Sequence, residues 1–194
     1  MTIQEYINNK KEFLNTLLAF IDTIDGMHDG FDQIINYIDK NKIIDKKEEF
    51  TNMLHMIYKI SKNHHRSSDF FFKIEQILLH FEGKIKQTYS NSEIFNFFQN
   101  NKRILLFLFE KKIVIPDKSI IDQILQKSFS KDKSYRHFFI PEIKLFADDN
   151  IIERIEEEII NYDQNFYTNF EEKRKKGENE NLICQLIQND SIEE

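Results

Sequence analysis

Residues 88–112 read TYSNSEIFNFFQNNKRILLFLFEKK, and this stretch decides the fold. Ser90 and Glu93 form a capping box ahead of Ile94, Phe95, Phe97 and Phe98. In such a box a hydroxyl and a carboxylate satisfy two helix-start amides that would otherwise lack partners. The polar break Gln99-Asn100-Asn101 then leads into Lys102 to Lys112, hydrophobic nearly all round. A helix that is apolar on every side belongs in the interior, so 102–112 is expected deep in the core.

Helical spacing continues in both directions. On the N-terminal side, Ile3, Ile7, Phe13, Leu14, Leu17, Leu18, Ile21 and Ile24 share one broad face behind a capping box of Thr2 and Glu5. Gly26 and Gly30 are expected to punctuate its end, and a short helix carrying Phe31, Ile34, Ile35 and Ile38 follows. Asp45 with Glu48 is expected to open a third helix, bearing Phe50, Met53, Leu54, Ile57 and Tyr58. A fourth, capped by Ser67 or Ser68, has the stripe Phe70, Ile74, Ile77, Leu78, Phe81 and Ile85.

On the C-terminal side, Pro116 is placed in a first helical turn ahead of Ile120, Ile121, Ile124 and Leu125. A loop is expected around Ser128 to Ser134, before Tyr135 to Phe146, which Pro141 kinks or divides. Asp148, Asp149 and Asn150 supply caps for Ile152, Ile155, Ile159 and Tyr162, and the charged segment from Asn165 to Lys176 stops at Gly177. The best strand candidate, Ile113-Val114-Ile115, is three residues before a proline and makes no sheet. The reading is all-α.

Composition agrees. Four Gly and two Pro are about 3% of the chain, where about 12% is usual, which removes turn-dense sandwiches and barrels. Ala occurs twice and Val once, so the many Ile reflect a compositional bias rather than strands. A single cysteine, Cys184, rules out an intrachain disulfide and points to a reducing compartment. The longest purely apolar run, Ile104 to Phe109, is far short of the roughly 20 residues of a spanning helix. The expectation is an intracellular, cytoplasmic protein with no membrane span. A net charge of −6 disfavours a polyanion as main partner.

Each candidate chemistry meets a plainer reading. Asp25, Asp29 and Gly30 suggest a calcium loop, but Met27 stands where an EF-hand needs an oxygen side chain and Asn36 where it needs Glu, leaving a solvated acidic turn. No two of the six His are four apart, and adjacent His64 and His65 cannot meet one ion from a regular helix. They are placed at a helix C-terminus, where positive charge suits the dipole. Cys184 lies on an apolar stripe as a small hydrophobe. With no nucleophile elbow, dinucleotide fingerprint or phosphate loop, no catalytic residue, metal or cofactor is assigned. The basic cluster Lys173-Arg174-Lys175-Lys176 is flanked by Glu171, Glu172, Glu178 and Glu180 and is read as a solvated helix end. A nucleic-acid adaptor using that cluster, or an enzyme with a dispersed site, are the alternatives.

Two features bear on architecture. Ile34-Ile35-x-Tyr37-Ile38 followed by Asp39-Lys40 recurs as Leu105-Leu106-x-Leu108-Phe109 followed by Glu110-Lys111, the pattern of stacked helical hairpins in a solenoid-like array. Near the end, Leu182, Ile183, Leu186 and Ile187 form an amphipathic helix, and Ser191-Ile192-Glu193-Glu194 is a start signal with no helix behind it. The expectation is a fragment whose natural chain continues.

Several stretches together resemble the N-terminal helical region of the large ankyrin-repeat protein family of trichomonad protozoa. They are ISKNHHR (60–66), FKIEQILLHF (72–81), the 88–112 stretch, YRHFFIPEI (135–143) and NFEEKRKKGENENLICQLIQNDSIEE (169–194). The match covers most of the chain from about Phe31 onward. It implies a helical domain over 1–176 and, over 177–194, the truncated start of an ankyrin-type repeat region. No Thr-Pro-Leu-His motif or 33-residue repeat is present, so the array's partner recognition does not transfer to these residues. The implied role is a non-enzymatic scaffold or protein-interaction domain, leading or capping an ankyrin solenoid through Leu182, Ile183, Leu186 and Ile187.

Overall fold

The computed structural model describes residues 3–22, 27–63, 68–130, 133–162 and 167–176. Among them, twelve α-helices and one short 3-10 turn make up the regular structure and no strand forms, as the apolar spacing predicts. No described helix is long and apolar enough to cross a membrane. The chain divides into two compact units, Met1–Phe97 and Phe98–Glu194.

The first unit begins with α1 (Ile3–Asp22) and α2 (Met27–Lys40), packed along each other. A 3-10 turn (Ile43–Asp45) leads into α3 (Lys47–Asn63), followed by α4 (Ser68–His80), α5 (Glu82–Thr88) and α6 (Asn91–Phe98), which ends at the boundary. α4 packs on α1, α3 and α5. The predicted stripes supply the core: Phe13 and Leu17, Ile34 and Ile38, Phe50, Met53, Leu54 and Ile57, then Ile74, Ile77 and Leu78, are all buried. Each such side chain contributes about 1.5–3 kcal/mol on removal from water. The Phe50 ring meets Phe81 and Tyr89, with centroids 6.5 and 5.5 Å apart. The Tyr89 hydroxyl lies 3.0 Å from the Thr51 hydroxyl, tying the segment before α6 to α3.

The Ser90–Glu93 box forms as expected. Ser90 N donates to Glu93 Oε2 at 2.8 Å, and Glu93 N donates to Ser90 Oγ at 3.3 Å. Three other expectations are corrected. Gly30 and Asp29 lie inside α2, not in a turn. α3 starts at Lys47, after the 3-10 turn that ends at Asp45, so Asp45 is not its cap; the chain enters that turn through Lys42 at φ 50°. The stripe 70–85 is two helices broken at Phe81, whose φ of −96° and ψ of 11° leave the helical range. Gly83, a weak helix former, sits in the first turn beyond the break, and buried Phe81 and Ile85 both remain in the core.

The second unit is built on α7 (Lys102–Glu110), whose residues Ile104 to Phe109 are all buried. Buried Asn101 caps it, its side chain accepting from Ile104 N at 3.1 Å. Its end is a Schellman motif: Ile113 N donates to the Leu108 carbonyl at 2.9 Å and Lys112 N to that of Phe109 at 3.0 Å. Lys112 takes the left-handed position at φ 55°, where glycine is usual. Ile113 and Val114 are buried in the bend that follows, while Ile115 is exposed, so the strand candidate is a helix-ending turn.

α8 (Lys118–Ser130) is capped by Asp117, whose Oδ1 accepts from Ile120 N at 2.9 Å. Pro116 therefore precedes the cap instead of occupying the first turn. The loop expected over 128–134 is largely helical, since α8 reaches Ser130 and α9 (Lys133–Phe138) starts at Lys133. The chain breaks at Phe139, and Pro141 sits at the start of α10 (Ile140–Ile143), so the proline divides the segment. α11 (Asp149–Tyr162) follows Asp148, whose carbonyl accepts from Ile151 and Ile152. α12 (Phe170–Lys176) packs on α7, and α9 is packed against α8, α10 and α11.

Candidate functional site

Every residue from Tyr135 to Ile140 is buried. That run includes Arg136 and His137, and a guanidinium withdrawn from water is costly unless it is paired. α11 supplies the partner. It buries Ile155 and Ile159, which turns Glu158 toward α9. Arg136 Nη2 donates to Glu158 Oε2, and His137 Nε2 lies 3.8 Å from the same oxygen.

A second pair joins α12 to α10. Arg174 is 2% exposed, and its Nη2 donates to both carboxylate oxygens of Glu142, at 2.6 and 2.7 Å. Its Nη1 donates to Glu171 Oε1, one turn earlier, at 3.0 Å. The guanidinium lies over the rings of Phe138 and Phe170, 5.2 and 5.3 Å from their centroids, and Lys102 Nζ lies 5.7 Å from the Phe138 centroid. Phe138 thus faces two cations, each drawn to the negative face of the ring. The Tyr135 hydroxyl donates to the Gln99 carbonyl at 2.6 Å.

Burial pushes the Glu142 carboxyl above its ordinary range. The charge and hydrogen bonds of Arg174 pull it back in part, and nearby Glu171 adds to the rise. A carboxyl raised in this way could serve as a general acid. Here both of its oxygens accept from Arg174, which links α10 to α12.

The cluster Lys173–Lys176 departs from its reading as a solvated helix end. Arg174 is drawn into the interior, Lys173 is half-buried, and exposed Lys175 has its Nζ 3.8 Å from Glu110 Oε1. Three consecutive helical residues point about 100° apart from one another, so no contiguous basic face forms among the described side chains. Leu182, Ile183, Leu186 and Ile187, assigned to a repeat junction, lie outside the described residues, as do Cys184, Ser191, Gly177, His64, His65, Asp25, Thr2 and Ser67. Among the described residues no group of three or more His, Cys, Asp or Glu is arranged to hold a metal ion.

The sequence contained a signal for the buried pairs. Only five of its 27 basic residues are arginine, and Arg136 and Arg174 both sit near Phe, at 138 and at 170. A planar, weakly hydrated guanidinium is the cation best suited to an interior ion pair beside an aromatic ring. The acidic partners, 22 and 32 residues away, carry no such mark.

The first unit holds a different feature, an open groove of about 340 Å³ between α1 and α3. Ile7, Leu14 and Met56 line it, and Lys10, Lys11 and Lys59 stand around it. His55 forms part of the wall, its ring edge-on to Phe97 at 5.1 Å. Comparison with family models, curated proteins and solved structures finds no match to this chain.

Proposed function

We propose that the chain is a non-enzymatic helical scaffold that leads into, or caps, a solenoid of ankyrin-type repeats. The link to such an array rests on the resemblance of the stretches quoted above. The observation that supports a scaffold role is the pairing of two buried arginines of the second unit with glutamates on neighbouring helices. Arg136 with Glu158 joins α9 to α11, and Arg174 with Glu142 joins α12 to α10. Paired interior charges contribute little net stability but penalise every packing in which a partner is missing. Such an arrangement suits a body that must present its ends in one geometry.

In this role Leu182, Ile183, Leu186 and Ile187 bury the apolar face of the first repeat, because solenoid ends need covering. The test is chemical unfolding of the chain ending at Glu194, compared with a chain carrying two further ankyrin-type repeats. The extended protein should unfold at higher denaturant, and Leu186→Asp should abolish the gain. Equal midpoints with and without the repeats would refute the capping role.

A further inference from the structure

We propose that the groove between α1 and α3 is the docking site for an acidic amphipathic helix of a partner protein. The proposal stands apart from the repeat junction, whose residues it does not use.

The floor is apolar and open to water. Ile7 is 40% exposed although it belongs to the stripe that buries Phe13 and Leu17, and Leu14 and Met56 are half-buried beside it. From Ile7 to Leu14 the groove follows α1 for two turns, about 10 Å at 1.5 Å per residue. That length matches the i, i+3/i+4, i+7 anchors by which a helix lays its apolar face into a groove. The volume of about 340 Å³ is at the low end for a small-molecule site, and its lining comes from two turns of α1 (Ile7 to Leu14) and two of α3 (Asn52 to Lys59).

Charge selects the occupant. Lys10 is matched within the unit, its Nζ 3.3 Å from Glu49 Oε2. Lys11 and Lys59 are exposed, one on each wall, and neither enters an ion pair among the described residues. Among the described residues, the groove thus presents two cations without an acidic partner flanking an apolar floor, on a chain whose net charge is −6. A partner that sets Leu or Ile on the floor and Glu or Asp against both lysines gains complementarity, whereas a basic amphipathic helix is repelled.

The test uses the full chain and a fluorescein-labelled, helix-stabilised peptide of about 14 residues, with Leu at i, i+4 and i+7 and Glu on both flanks. A second peptide replaces each Glu with Lys. By anisotropy the acidic peptide should bind at least about tenfold more tightly than the basic one, and the preference should shrink as salt rises from about 0.15 M to about 0.5 M. Lys11→Glu with Lys59→Glu should invert the preference, and Ile7→Asn should weaken both peptides; circular dichroism checks that each variant keeps its helices. Equal binding of the two peptides, or an unchanged preference in the double variant, would overturn the proposal. So would binding of dodecanoate or anionic phosphatidylserine vesicles in place of the acidic peptide.

Discussion

Arg174 ties α12 to α10 in the second unit. It contacts Glu142, Glu171, Phe138 and Phe170 at once. Arg174→Ala leaves the Glu142 carboxylate buried without its cation, and urea denaturation should show a loss of about 3–5 kcal/mol. Arg174→Met with Glu142→Leu removes both charges and keeps the volume, and should return the stability to within about 1 kcal/mol of the parent. A double variant as unstable as the single one would show that the rings, not the charges, hold α12. The carboxyls of Glu142 and Glu93 are shifted in opposite directions from the ordinary carboxylate range. Burial raises Glu142, whose contribution is therefore present below its unfolded value and lost as pH rises through its folded value. The amide and hydroxyl of Ser90, with help from Lys47, lower Glu93. The Glu93 contribution is present above its unfolded value and is lost as pH falls through its folded value. Carboxyl-carbon NMR shifts should place the Glu142 midpoint above that of Glu93; the reverse order would contradict both environments.

Helix ends show where local signals suffice and where they do not. The Ser90–Glu93 box was legible because both partners lie within one turn, and the Asn101 cap sits at the polar break that separates two helices. The break at Phe81 was not legible, since an apolar stripe reads the same whether the backbone beneath it is continuous or bent. At Gly83 an added Cβ would meet nothing within 4 Å, so Gly83→Ala should stabilise α5 by about 0.5–1 kcal/mol, measured by thermal unfolding. Lys112 occupies a left-handed position that costs an L-residue about 1–2 kcal/mol. Lys112→Gly should recover about 1 kcal/mol at the end of α7, and a loss of stability there would show that the lysine side chain makes a contact worth more than the strain.

The molecule divides into two compact units, Met1–Phe97 and Phe98–Glu194. One offers a groove edged with lysine, and the other draws Arg136 and Arg174 into its interior. The all-helical class, the interior place of 102–112 and the capping box before it follow from spacing alone, because a helix couples residues three and four apart and leaves that period in the chain. The conversion of Arg174 from a member of a basic run into an interior ion pair, and the gathering of Ile7, Lys11 and Lys59 around one groove, were settled by packing. Those contacts join residues tens of positions apart, and no local periodicity records which distant partner a side chain will meet.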